Sequence, residues 1–172
     1  GAHLELGEHM LTTEYFPNSN LAMKGELKKA MVTYYDFITG YENLLRDGGK
    51  FYGVTASSID GKMTVNQWPP VRNQIATIGK RFDCRDVIHF LNYANAVHLD
   101  WCDSNGTQAE PSLIESAQTK VSVKGTVKTV WAASPDARFG VSQELDFVQE
   151  GNEIKVILPS LKYWTMLVIE YE

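Results

Sequence analysis

From Leu21 to Arg46 the apolar positions recur with a helical period. Leu27, Met31, Tyr34, Ile38, Tyr41 and Leu45 form one stripe, and Met23, Ala30, Phe37 and Leu44 widen it. The spacing predicts one long amphipathic helix. Side-chain oxygens in Asn18-Ser19-Asn20 can accept its first free amide protons, and Gly48-Gly49 supply a left-handed stop. At about 1.5 Å per residue the helix would run to roughly 40 Å, with an apolar face too wide to leave in water. It is expected to pack on something large.

After Gly49 the period changes to two. Val141, Leu145 and Phe147 alternate with polar residues, and Ile154, Val156 and Leu158 follow a turn at Glu150-Gly151-Asn152, which predicts a hairpin. Further strands are expected over 51–56, 74–78, 87–93, 119–123, 127–133 and 163–171, the last after a turn at Pro159-Ser160 and apolar on both faces. Punctuation at Asp60-Gly61, Pro69-Pro70, Asn105-Gly106 and Pro135-Asp136 fits short connections. The fold class that follows is mainly β: an antiparallel β-sandwich of six to nine strands over residues 50–172, preceded by the helix. The opening Ala2–Met10 alternates once and ends near Gly7, so residues 1–49 read as a strand, a loop and a helix. One β/α unit cannot bury both its faces alone. It is either the last unit of a (β/α)8 barrel or an element docked on the sandwich.

Composition narrows the function classes. A net charge of −5 without a Lys/Arg cluster argues against a nucleic-acid surface. No apolar run approaches the roughly 18 to 20 residues needed to span a bilayer. The two cysteines, Cys84 and Cys102, lack metal-ligand spacing, so no metal or cofactor is expected, and both a disulfide and two free thiols fit their positions.

Three segments carry a resemblance. Tyr34-Tyr35-Asp36-Phe37-Ile38-Thr39-Gly40-Tyr41-Glu42-Asn43-Leu44-Leu45-Arg46-Asp47-Gly48, Val130-Trp131-Ala132-Ala133-Ser134-Pro135-Asp136 and the closing Leu158–Tyr171 resemble the C-terminal part of glycoside hydrolase family 66, the dextranases and cycloisomaltooligosaccharide glucanotransferases. The resemblance covers nearly the whole chain. It implies a parent with a catalytic barrel before an all-β domain, acting on α-1,6-glucans and placed outside the cytoplasm. It also implies a retaining mechanism whose aspartate nucleophile and glutamate acid/base match barrel strands preceding this segment, so no catalytic residue is assigned to the chain. Cys102 departs from the Trp-Arg-Asp that the family shows at positions 101–103.

Candidate site residues are few. His3, Glu5, Glu8 and His9 concentrate ionisable groups at a strand end, and Glu5, Glu8 and His9 are taken as substrate-binding candidates in the parent. Glu5 and Glu8 point to opposite faces of an extended strand, and only a bend at Gly7 brings them together. Among four tryptophans, Trp131 and Trp164 are expected in the core and Trp101 at a strand end. Trp68, beside Pro69 and Pro70, is the candidate exposed platform for a sugar ring. Ser57, Ser58, His89 and His98 lack the Gly-x-Ser-x-Gly elbow that would suggest a hydrolytic triad, and Asn105-Gly106-Thr107 fits both a glycosylation acceptor and a plain turn.

The expected role is therefore structural, a cap on a glucan-degrading barrel. The alternatives are a freestanding carbohydrate-binding sandwich and a protein interaction module, the latter self-associating through the helix face.

Overall fold

The computed structural model of the chain describes residues 24–100, 103 and 106–172. The chain divides into two compact units, Gly1–Asp47 and Gly48–Glu172. In the first, helix α1 spans Gly25–Gly40 and a further turn, α2, spans Glu42–Leu45. Tyr41 separates them, with φ −110° and ψ 22° outside the helical region. The continuous helix expected over 21–46 is thus interrupted, and α1, at 16 residues, is only about 24 Å long. Of the expected apolar face, Phe37 on α1 and Leu44 on α2 are buried, Met31, Tyr34, Ile38, Tyr41 and Leu45 are partly buried, and Leu27 is 50% exposed. Phe37 and Tyr41, one turn apart, bring their ring centroids to 4.8 Å. The proposed Asn18–Asn20 cap lies outside the described residues, and Lys24, which occupies the N-cap of α1, makes no side-chain capping bond. Gly48 and Gly49 take left-handed φ values of 60° and 68° beyond α2.

The second unit is built from two sheets. Its strands are β1 (Lys50–Tyr52), β2 (Ala56–Ser58), β3 (Val65–Gln67), β4 (Ile75–Arg81), β5 (Arg85–Asn92), β6 (Ile114–Ser122), β7 (Val127–Ala133), β8 (Gln143–Glu144), β9 (Phe147–Glu150), β10 (Glu153–Leu161) and β11 (Trp164–Tyr171). The larger sheet runs β1-β4-β5-β11-β7-β8 with β3 also on β4, and the smaller runs β2-β6-β10-β9. All pairings are antiparallel except β3 with β4, a departure from the expected all-antiparallel arrangement. Ile88, Phe90, Val130, Leu167 and Ile169 of the larger sheet form one buried cluster with Val121, Ile154, Val156 and Leu158 of the smaller. The mainly β sandwich expected from the alternation is the observed architecture.

Two expected strands prove to be corners. Residues 51–56 split between β1 in the larger sheet and β2 in the smaller, and residues 141–147 split between β8 and β9 in the same way. At the second corner the Leu145 N–H donates to the Val130 carbonyl at 2.8 Å, closing the group that the sheet change would leave open. The hairpin at Gly151 forms as expected between β9 and β10. The turn expected at Pro159-Ser160 does not form, and Pro159 lies inside β10. It is tolerated because β9 pairs only with residues 153–156 of β10, so no partner strand there requires its missing N–H.

The chain changes sheet for the last time between Leu161 and Trp164. One carboxylate oxygen of Asp136 accepts the N–H groups of Tyr163 and Trp164, at 3.0 and 2.9 Å. The Asn92 amide donates to the Lys162 carbonyl at 2.9 Å, and the Ser134 hydroxyl to that of Trp164 at 2.6 Å.

Trp131 and Trp164 are half-buried, not in the inter-sheet core. Strand alternation explains the correction: Leu167 and Ile169 of β11 join the core, so Trp164, Met166 and Val168 face the other way, and Trp131 pairs with Val168 on that side. Met166 and Val168 are nevertheless fully buried, so β11 is apolar and solvent-excluded on both faces, as its composition suggests.

A buried charge closes the far end of the sheet. Asp86 has no exposed surface. It accepts two bonds from the Arg81 guanidinium, at 2.9 and 2.7 Å, and one from the Tyr171 hydroxyl at 2.8 Å. The carboxylate raises the Arg81 pKa, mainly through this hydrogen bonding, and burial followed by the Asp86 bond raises that of Tyr171. The Tyr52 ring stacks against the same guanidinium at 4.1 Å. An Asp86→Ala change leaves the Arg81 fork and a buried hydroxyl without an acceptor and is expected to cost about 3 to 5 kcal/mol. Lys155→Ala, which breaks the exposed pair with Glu150, is expected to cost under about 1 kcal/mol. Urea melts of both variants check the contrast, and comparable losses would refute it.

Candidate functional site

The outer edge of β4 is covered in two pieces. β1 pairs with residues 79–81 and β3 with residues 75–77, so the two short strands lie end to end along it and leave a gap near Ile78. A shallow open groove of about 510 Å³ occupies this place, lined by Phe51, Tyr52, Gly53, Gln67, Trp68 and Thr77 among others. Phe51 is 79% and Trp68 52% exposed. The Trp68 turn is nonetheless fixed. Its N–H donates to the Thr77 carbonyl at 3.0 Å, the Thr77 hydroxyl donates to the Asn66 carbonyl at 3.0 Å, and the Asn66 amide donates to the carbonyls of Gln67 and Pro69 at 2.6 and 2.8 Å. The Gln67 amide lies across Gly53, where a Cβ would stand 2.8 Å from its Oε1. Only glycine leaves the amide that place.

Chemically, the groove offers the exposed rings of Phe51 and Trp68, the Gln67 amide and no charged side chain. It can hold a ligand with an apolar face and a hydroxyl rim, and it carries no acid/base pair. Trp68 is as exposed as the neighbouring prolines suggest. Phe51 and Gln67 escaped the sequence reading, because a strand alternation does not reveal that β1 and β3 share one edge.

The other sequence candidates are not assembled here. Glu5, Glu8 and His9 lie outside the described residues, as do Trp101, Cys102 and Asn105. Cys84 is an exposed free thiol. The Ser58 hydroxyl donates to Asp60 at 2.9 Å on β2, in the smaller sheet. His98 lies 3.4 Å from Asp103, whose carboxyl is held at about 2 chiefly by the backbone N–H groups of Gln108 and Thr107. That carboxylate pins a loop. His89, on β5, accepts a hydrogen bond at Nδ1 from the Trp164 indole at 3.1 Å. These groups belong to different elements and make no triad. Among the described residues, no cluster of three or more His, Cys, Asp or Glu side chains is placed to hold a metal.

The sequence and the fold both match a known family. The family model for glycosyl hydrolase family 66 matches residues 1–168, and the chain belongs to this family. It is 34% identical to a cycloisomaltooligosaccharide glucanotransferase of Niallia circulans over 98% of its own length, but 18% of that protein. It is 25% identical to a dextranase of Streptococcus salivarius over 94% of its length and 22% of that protein. A Paenibacillus cycloisomaltooligosaccharide glucanotransferase, solved in complex with cycloisomaltoheptaose, superposes on 91% of the chain and 23% of its own with a TM-score of 0.72 and 30% identity. The chain therefore spans about a fifth of the length of the relatives it matches.

His89 yields a pH prediction. Burial, and to a lesser extent Lys80, pushes its pKa down to about 4, and protonation at Nδ1 would replace the acceptor of the Trp164 bond with a second donor. Between about pH 6.5 and 4 the unfolded chain holds a proton that the fold excludes. The contribution is complete above about pH 6.5 and lost as pH falls toward 4. His89→Gln keeps an acceptor without titrating. It is expected to lose less stability than the parent chain between pH 7 and 4.5, by on the order of 2 kcal/mol. Urea melts at the two pH values read the difference directly, and equal slopes would contradict the assignment.

Proposed function

We propose that the chain is the C-terminal part of a family 66 enzyme that cleaves or transglycosylates α-1,6-glucans. Residues 1–49 are the last β/α unit of its catalytic barrel, and residues 50–172 form a sandwich that caps the barrel. The observation that carries this reading is a match running along nearly the whole chain to proteins about five times its length. The names of those relatives, a dextranase and glucanotransferases of cyclic isomaltooligosaccharides, support the substrate class.

The parent would work by a retaining mechanism, with two carboxyl groups about 5 Å apart around the scissile bond. Those groups belong to barrel strands outside this chain. Glu5, Glu8 and His9, at the C-terminal end of the last barrel strand, would contact substrate from the rim, where barrel enzymes gather their binding groups. Because its substrate is a polymer too large to enter a cell, the parent would act outside the cytoplasm.

The 172-residue chain alone is expected to release no reducing sugar from dextran, whereas the full-length parent should release isomaltooligosaccharides, linear or cyclic. Product chromatography on both proteins is the measurement. Hydrolysis by the purified chain that disappears in Glu5→Gln or Glu8→Gln would overturn the assignment of catalysis to the missing barrel strands.

A further inference from the structure

Two exposed aromatic side chains lie in one groove at the edge of the larger sheet. A lone exposed ring on a protein surface is ordinary, but two lining the same open groove, together with the Gln67 amide, make a defined surface. The turn carrying Trp68 is tied through Thr77 and Asn66 as described above, so its backbone needs little further ordering on binding. The groove is open and not enclosed, which suits the middle of a long chain more than a small ligand that must be surrounded.

We infer that this groove is a binding subsite for an α-1,6-glucan chain. The Trp68 indole lies beneath the apolar face of one glucose unit, and Phe51 forms a second apolar contact along the strand. The Gln67 amide, with one donor side and one acceptor side, hydrogen-bonds the hydroxyl rim. Gly53 is a positioning residue. A methyl group there meets the end of the flexible Gln67 side chain and displaces the amide without obstructing the backbone. The identity of the glucan rests on the family reading above; the groove itself rests on its geometry.

Native affinity electrophoresis of the full chain tests the inference, since its net charge of −5 carries it toward the anode through gels containing dextran, amylose or hydroxyethylcellulose. Dextran is expected to retard it. Trp68→Ala should weaken the apparent affinity by roughly tenfold or more, Trp68→Phe should restore part of it, and Phe51→Ala and Gly53→Ala should each weaken it several-fold. Phe139→Ala, which removes a ring 90% exposed near the opposite edge of the sheet, should change nothing. Urea melts run beside the gels show that each variant is folded. No retardation by any polymer, or retardation undiminished in folded Trp68→Ala, overturns the subsite and leaves the family-based scaffold reading untouched. Preferential retardation by amylose or hydroxyethylcellulose overturns the α-1,6 assignment of the groove, and parent activity on dextran then decides separately whether the scaffold reading also falls.

Discussion

The sandwich depends on how β11 is held. This strand is the centre of the larger sheet, between β5 and β7, and it begins immediately after the chain has crossed from the smaller sheet at Leu161. A crossing this short breaks the backbone ladder, and an open N–H or C=O that is shielded from water there would cost free energy comparable to a lost hydrogen bond. The two strands flanking β11 supply the missing partners. Asn92, at the end of β5, reaches the Lys162 carbonyl, while Ser134 and Asp136, just past β7, take the Trp164 carbonyl and the amides of Tyr163 and Trp164. The opposite end of β11 is fixed by Tyr171 on Asp86, again a β5 residue. Both ends of the strand are therefore pinned by polar groups, and the apolar residues between them are free to fill both faces. This arrangement gives a physical reason for two of the segments that carry the family resemblance, residues 130–136 and 158–171: they meet at the crossing.

The legible and illegible parts of the fold divide along the same line. Local periodicity announces helix and strand, and the helical residues, the β9–β10 hairpin and the two-faced apolar character of β11 all follow from it. Tyr41 interrupts the helix without interrupting the pattern, because a tyrosine fits the apolar stripe whether or not its backbone is helical. The corners at residues 53–55 and 145–146 are hidden for a similar reason. A strand that changes sheets keeps a period of two, and the side facing the core continues to be apolar. Pro159 reads as a turn because the sequence does not reveal that β9 ends before reaching it. Trp131 and Trp164 read as core because large rings in apolar strands usually are, whereas here the inward positions of β11 are already taken by Leu167 and Ile169.

Polar groups were the least legible of all. Asp86, Asn92 and Asp136 carry little local signal, since the Tyr171 hydroxyl, the Lys162 carbonyl and the Tyr163 amide that they satisfy lie 85, 70 and 27 residues away in the chain. The groove is a case of the same kind. Trp68 is visible as an exposed candidate from its prolines, but its companions Phe51 and Gln67 are brought beside it only by β1 and β3 pairing with the same edge of β4.

That edge links the scaffold to the proposed binding surface. An exposed sheet edge offers unpaired backbone groups to other chains, and proteins commonly cover it with short strands or turns. Here β1 and β3 cover β4 in two pieces, and the gap between them becomes the groove. Tyr52, which lines it, stacks on the Arg81 guanidinium that is itself held by Asp86. The groove wall is thereby tied to the same buried carboxylate that pins the end of β11. A wall held in this way needs little ordering when a ligand binds, which is the condition under which a few uncharged contacts can hold a neutral polymer.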